Sequence, residues 1–211
     1  MPYSQLGQDV VVMKLFPDRK GFYVDIGAHD GKSISNTLLL DEHGWSGICA
    51  DPLPAIWEKL VESRPNAYKT NKAIWHTTGQ TVEFATVEGY HEMLSGINGL
   101  QSPASVHHQH AAPKIQVETL SLNDLLCDGG APPFIEYLSL DTEGSELDIL
   151  STFDFSRWTF GLIDVEVASV EPKRSNIRKL LTDNGYVFLR ENAFDDVYVH
   201  SSILGKARTL L

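Results

Sequence analysis

The chain has 211 residues, 42% of them hydrophobic and 21% charged, the proportions of a globular protein with room for one sizeable core. A formal net charge of -11 argues against a protein that grips nucleic acid through its phosphates, because such a grip needs a basic face. Two cysteines (Cys49, Cys127) form no disulfide framework, no apolar run nears the roughly 20 residues of a membrane helix, and no basic-then-apolar leader opens the chain, so a cytoplasmic protein with no membrane partner is expected.

In chain order, residues 21–27 (GFYVDIG) read as a strand and 33–44 as a helix stopped at Gly44. Residues 45–51 (WSGICAD) read as a second strand, 52–65 as a second helix with proline near its start, and 67–76 as a third strand with its exit loop. The alternation in 81–87 (TVEFATV) suits an edge strand. From 89 to 113 the pattern is lost among glycines, serines, prolines and histidines, and a loop of that length is expected to be functional, here a lid over an acceptor pocket. Residues 117–127 read as a strand tip and short helix, and 134–141 (FIEYLSLD) as a buried strand. Residues 145–154 read as a helix, with Ser145 and Asp148 forming a capping box. A further buried strand covers 160–168, an amphipathic helix 174–185, and a closing hairpin 186–203, with its turn at 192–196. Lys173, Arg174, Arg178 and Lys179 read as the solvated face of that helix. Strands alternating with helices predict an α/β fold: a mainly parallel sheet with helices on both faces and an antiparallel C-terminal hairpin, all in a single domain spanning 1–211.

In such a sheet, ligands bind beyond the carboxyl ends of the strands. Those ends carry Asp25-Ile26-Gly27-Ala28-His29-Asp30-Gly31, then Asp51, then Asn71-Lys72-Ala73-Ile74, then Asp141-Thr142-Glu143-Gly144, then Glu166. Four of the five strand ends bear an acid. The turn is no dinucleotide fingerprint, because position 29 is His, and it is one residue short of a phosphate-binding loop. Asp25 and Asp30 would repel phosphate, which argues against an NTPase. A ligand with a ribose, an adenine and positive charge but no phosphate suits these acids, and S-adenosylmethionine (SAM) is such a ligand.

Gly27 to Gly31, with Asp25, resembles the first SAM-binding motif of Rossmann-like class I methyltransferases. With Ser4-Gln5-Leu6-Gly7-Gln8-Asp9, Ser35-Asn36-Thr37, Gly44-Trp45-Ser46-Gly47, Asp51-Pro52, Asn71-Lys72-Ala73-Ile74, Ser95-Gly96-Ile97 and the run 139–146 (SLDTEGSE), the chain resembles the FkbM family from about Tyr3 to Glu166. Relatives more often carry Glu where Asp51 stands. The resemblance implies a seven-stranded sheet, SAM as cofactor, and O-methylation of a small-molecule or sugar hydroxyl. It implies that Asp25, Gly27, Ala28 and Gly31 form the methionine end of the pocket, helped by Gln8 and Asn36. Backbone groups of the turn and the following helix start are expected to hold the amino-acid carboxylate. Asp51 is expected at the ribose, Ala73 and Ile74 at the adenine, and Asp141 is counted with the cofactor-binding residues as well.

An oxygen acceptor needs a base or a metal. Asp141, beside the expected sulfonium, is the first candidate base, followed by Glu143, Glu166 and His29. Asp141, Glu143 and Glu166 have the oxygens to share a hard cation, though a metal is not required by this reading. The run His107-His108-Gln109-His110 has no acid or cysteine at ligand spacing and argues poorly for zinc. The opposing reading is a catalytically idle SAM-fold scaffold. The acceptor's identity and the oligomeric state are not legible.

Overall fold

The computed structural model describes residues 3–100, 105–167 and 171–210. Part of the 89–113 segment and Ala168 of the 160–168 strand lie outside the described residues. Helix α1 (Gln8–Leu15) is followed by β1 (Phe22–Ile26), α2 (Leu38–Glu42) and β2 (Ser46–Ala50). A 3₁₀ turn over Pro54–Ile56 leads into α3 (Trp57–Ser63), then β3 (Tyr68–Thr70), β4 (Ala73–Trp75) and β5 (Thr81–Ala85). Next come β6 (Gly96–Ile97), α4 (Val106–Ala111), β7 (Lys114–Ser121), α5 (Leu122–Asp128), β8 (Phe134–Leu140) and α6 (Glu146–Ser151). The chain continues with β9 (Thr159–Glu166), α7 (Lys173–Asp183), β10 (Tyr186–Asn192), β11 (Asp195–His200) and α8 (Leu204–Leu210).

Seven strands form the main sheet in the order β10-β11-β9-β8-β1-β2-β3. Pairing is parallel from β9 to β3, while β11 runs antiparallel to both β9 and β10. From β1 the chain builds outward through β2 and β3, and from β8 it builds the other way. The order therefore reverses between β1 and β8, which is where such a sheet opens a crevice. Alternating side chains feed two cores. Val24, Ile26, Leu138 and Leu140 pack with Leu125, Ile149 and Ile177. Tyr23, Cys49 and Tyr137 pack on the other face with Val12, Leu40 and Leu60.

Several expected elements differ. The segment 67–76 is two strands: β3 ends the main sheet, and after Asn71-Lys72 the chain leaves it. β4 then joins a second sheet ordered β4-β7-β5-β6. β7 starts at Lys114, before the expected strand tip, because it pairs along the whole of β5. The 33–44 helix shrinks to α2, since His29, Gly31 and Ile34 take positive φ and hold the preceding chain in turns. Segment 89–113 contains a 3₁₀ turn at Gly89–Leu94, β6 and α4, whose Gln109 donates to the Leu94 carbonyl at 2.7 Å. Ser145 makes no cap bond; its hydroxyl donates to Thr142 Oγ1 at 2.7 Å. The basic face of α7 is not simply solvated. Lys173 pairs with buried Glu146, and Arg174 and Arg178 both pair with buried Asp196.

A polar row crosses the centre of the sheet. Asp25 lies in register with Cys49 and Ser139, and Ser139 with Asp164, so these side chains leave one face together. The C-terminal end of α3 covers that row with Arg64, which is 0% exposed. Arg64 Nε donates to the Gly31 carbonyl at 2.6 Å and Nη1 to Tyr23 OH at 3.2 Å. Nη2 reaches Ser35 Oγ at 2.6 Å and Thr37 Oγ1 at 3.0 Å. Thr37 in turn donates to Asp25 Oδ2 at 2.5 Å. One guanidinium thus fixes the turns that follow β1.

Replacing Arg64 with Met should lower stability by about 3 kcal/mol or more, because the Gly31 carbonyl and the hydroxyls of Tyr23, Ser35 and Thr37 lose their donor at about 1–3 kcal/mol per stranded group. Arg64→Lys should recover only part of it, because an ammonium lacks the fork. Urea unfolding followed by circular dichroism tests this, and an unchanged midpoint in Arg64→Met would show that the network carries no stability.

Candidate active site

A cavity of about 350 Å³ opens at the carboxyl ends of β1, β2, β8 and β9. Ala73, Ile74, Phe84 and Ile97 of the second sheet wall one side. The N-terminal residues Gln5, Leu6 and Gln8, and Phe194 and Asp195 of the last hairpin, wall another.

At the β1 side, Gly27 has φ 84°, and a Cβ there would lie 1.7 Å from the Asp141 carbonyl oxygen. Only glycine lets β1 and β8 end this close together. The turn's own donors are committed inward. Gly27 and Ala28 N–H both reach the Ala50 carbonyl, at 2.9 and 3.2 Å, and Gly31 N–H reaches the Ala28 carbonyl at 2.9 Å. These three N–H groups are therefore not open to a ligand carboxylate. Gly31 does not line the cavity; its α-carbon faces Leu60, Ser63 and Arg64 of the α3 segment. Asp25, Gly27, Ala28, Asn36, Asp51, Ala73 and Ile74 do line it.

Asp25 is buried, and that burial raises its carboxyl above the usual range against the pull of Arg64 and the hydroxyls of Thr37 and Ser139. Asn36 Nδ2 donates to Ser139 Oγ at 3.0 Å. Asp51 accepts Leu53 N–H at 2.9 Å and His29 N–H at 2.8 Å, one on each oxygen. Burial raises the Asp51 carboxyl, and these two N–H groups oppose the rise. Each oxygen keeps a lone-pair site for a ligand hydroxyl. Gln8 sits further round, its amide donating to Asp195 Oδ2 at 3.0 Å.

At the β8 side, carboxyl oxygens of Asp141, Glu143 and Glu166 lie within 4.8 Å of one another. Among the described residues this is the one such group with metal-capable spacing, and its all-oxygen donor set suits a hard cation. Asp141 and Glu166 are hydrogen-bonded to each other, and both carboxyls are raised well above the usual range. Desolvation by the surrounding protein is the main cause for each, although Asp141 stays open to solvent in the cavity. Glu143 adds to it at Asp141, and the Asp141 charge adds to it at Glu166. The bond favours the charged form of Asp141 and the neutral form of Glu166. Asp195, in register with Glu166, is likewise raised by burial.

His29 does not join this group. Its Nε2 lies 3.2 Å from Glu92 Oε1 on the 3₁₀ turn, while its buried Nδ1 has no hydrogen-bond partner. The histidine run falls on α4, where His108 stacks on His91 with ring centroids 4.3 Å apart.

Sequence reading missed Glu146. Its Oε1 accepts Thr142 N–H at 3.0 Å, Thr142 Oγ1 at 2.9 Å and Gly144 N–H at 3.1 Å, so it holds the turn that carries Asp141 and Glu143. Asp195, Glu92 and Phe194 were missed as well. Asp195 and Phe194 sit in a polar hairpin turn whose local chemistry explains them without a site.

The model of the methyltransferase FkbM domain matches residues 25–188. No curated protein matches the chain. Among solved structures, the chain is similar to precorrin-6y C5,15-methyltransferase from Geobacter metallireducens GS-15, at 12% identity and TM-score 0.47, covering 91% of this chain and 84% of that one. It is also similar to the Methanococcus jannaschii fibrillarin pre-rRNA processing protein, at 11% and 0.47, covering 95% and 76%. A third is 1,6-didemethyltoxoflavin-N1-methyltransferase from Burkholderia thailandensis, with bound 1,6-didemethyltoxoflavin and S-adenosylhomocysteine, at 8% and 0.45, covering 92% and 75%. The family match spans most of the chain, including the first glycine turn and both acid-bearing strand ends at β8 and β9: the chain belongs to the FkbM methyltransferase family.

Proposed function

We propose that the protein transfers a methyl group from SAM to a hydroxyl of a small acceptor. The observation that carries this reading is the Asp141–Glu166 pair, which shares a cavity with Asp51 and the β1 turn. The lining also fits the donor. Asp25, Asp51, Glu92, Asp141, Glu143, Glu166 and Asp195 face Lys72 as the one lysine, and Lys72 is paired with Glu118 at 2.6 Å. Such a lining favours a cationic ligand and repels phosphates.

Asp51 would hold the ribose hydroxyls, Ala73 and Ile74 the adenine, and Asp25 and Asn36 the methionine end. When bound, SAM supplies an electrophilic methyl group on a sulfonium. Asp141, in its ionised form, takes the proton of the acceptor hydroxyl. Glu166 keeps its own proton and donates a hydrogen bond to Asp141, which holds the pair at a single negative charge. Glu146 fixes the turn so that Asp141 is already aimed. Gln8 braces Asp195 on the acceptor side, and the 89–113 segment serves as the lid, with Glu92 of its 3₁₀ turn resting on His29. A second reading is favoured by the 4.8 Å clustering: Asp141, Glu143 and Glu166 would hold a divalent cation, which would supply Lewis-acid lowering of a hydroxyl pKa. Activity that survives EDTA would retire that second reading.

S-adenosylhomocysteine at a hundred times its dissociation constant should stabilise the fold by about 2.7 kcal/mol. In a chain of this size that is a rise in Tm of roughly 5–10 °C. Asp51→Ala should abolish the rise, and ATP with Mg²⁺ should give none. A flat melting profile with S-adenosylhomocysteine would remove the SAM reading.

Asp141→Asn should cut kcat by about 10²–10⁴-fold and leave S-adenosylhomocysteine affinity intact. In the wild type, kcat should fall with acidity through an apparent pKa above the ordinary carboxylate range, because Asp141 is raised in the fold. The stability effect has the opposite sense. The folded chain keeps a proton that the unfolded chain releases, so stability falls as pH rises from the ordinary carboxylate range toward the raised one. Asp141→Asn should therefore melt higher than wild type at neutral pH. A full-rate Asp141→Asn enzyme would mean that the base lies elsewhere.

A further inference from the structure

The rim of the cavity differs in kind from its floor. Phe194 is 57% exposed, Ile34 49% and Met93 37%, and all three line the cavity. They come from three separate segments: the turn between β10 and β11, the turns after β1, and the 3₁₀ turn at Gly89–Leu94. Exposed apolar side chains scattered singly need no explanation, but three converging on one opening do. Ile34 sharpens the point. It has φ 46°, a left-handed conformation that disfavours a β-branched residue, where glycine would sit without strain.

Phe194 fixes where this rim lies relative to the chemistry. Its carbonyl accepts the N–H of Val167 at 3.0 Å, and its neighbour Asp195 is in register with Glu166. Phe194 therefore sits on the element next to the acid group, while Ala73 and Ile74 belong to the second sheet. Beneath the rim the lining is acidic, with Asp141, Glu143, Glu166 and Asp195 together. A ligand that satisfies both zones has an apolar body for the rim and a neutral hydroxyl-bearing head for the floor. A fully polar sugar would leave the rim wet, and a phosphorylated acceptor would meet four carboxyl groups.

We propose that the acceptor is an amphipathic alcohol, uncharged at its reacting end, whose aromatic or aliphatic body packs on Phe194, Met93 and Ile34. This rests on the methyl-transfer reading above and names the acceptor class for the same site. Phe194 and Met93 are specificity residues that hold the body of the acceptor, and they touch no reacting atom.

The test uses the full chain saturated with S-adenosylhomocysteine and three probes with the same hydroxyl-bearing ring: phenyl glucoside, glucose and glucose 6-phosphate. Ligand-observed NMR gives each affinity. Phenyl glucoside should bind at least about tenfold tighter than glucose, with the phosphate weakest, as one well-placed apolar contact allows. Phe194→Ser and Met93→Ser should each shrink that preference while S-adenosylhomocysteine still binds as in wild type. Equal or tighter binding of glucose or its phosphate would overturn the inference, as would a preference unchanged in both variants or no binding of phenyl glucoside. If S-adenosylhomocysteine itself fails to bind, the methyl-donor reading falls and this inference falls with it. If S-adenosylhomocysteine binds and the preference is missing, this inference falls alone.

Discussion

The buried guanidinium of Arg64 is the contact on which the β1 side of the cavity depends. β1 carries an acid, Asp25, one residue before its end, set into the middle of a sheet covered on both faces. A carboxyl in that position needs compensation, and within the sheet its register neighbours Cys49 and Ser139 offer only the Ser139 hydroxyl and no charge. Arg64 supplies charge from outside the sheet and spends its remaining donors on Gly31, Ser35 and Thr37. Those residues lie in a stretch with no ladder of its own between β1 and α2. Side-chain bonds there replace the backbone pairing that a helix would supply. This explains how the stretch tolerates positive φ at both His29 and Ile34.

The β8 side solves a similar problem with the opposite charge. Glu143 is itself in the left-handed region at φ 59°, and Gly144, at φ 141°, has the Leu100 carbonyl where a Cβ would stand. Glu146 ties the two ends of that turn, and Lys173 neutralises Glu146 from α7. The turn is held so that three acids can crowd together. Burial and mutual repulsion raise Asp141 and Glu166, and burial raises Asp51, Asp164 (to about 7) and Asp195. Each raised acid draws on folding free energy at neutral pH. Apolar clusters on both sheet faces supply that margin, the usual relation between a stable scaffold and a costly site.

What was legible follows from what is local. The main strands show as apolar runs, and the acids that end them show because a charge after such a run is out of place. The parallel sheet, the hairpin and the set Asp51, Ala73, Ile74, Asp141, Glu143 and Glu166 on one cavity all follow from that pattern. What was hidden depends on distant partners. Arg64 looks like an ordinary charge at a helix end, and only contacts about thirty residues away in sequence bury it. Glu146 was overlooked because Ser145 and Asp148 offered a capping box. In the fold, Glu146 takes the Thr142 and Gly144 N–H groups and Ser145 turns to Thr142. In the glycine turn the φ demand was legible, whereas the commitment of the Gly27, Ala28 and Gly31 N–H groups to Ala50 and Ala28 was not. α1 escaped notice because its run of three valines lacks a helical stripe.

The net charge, read first as an argument about partners, belongs in part to the site. Seven of the 28 acids line a single cavity, with one lysine among its walls. Spread over the surface, such charge would be screened within roughly 8 Å at physiological salt. Gathered at the mouth of parallel strands, with apolar walls behind it, the same charge acts over the short distances at which a ligand is chosen. The connection runs outward as well. Asp51 accepts the His29 N–H, the His29 ring meets Glu92, and Glu92 precedes Met93 on the rim. Asp51 is thereby tied through His29 to the element that shapes the entrance. The acids and the exposed apolar side chains thus line one continuous cavity.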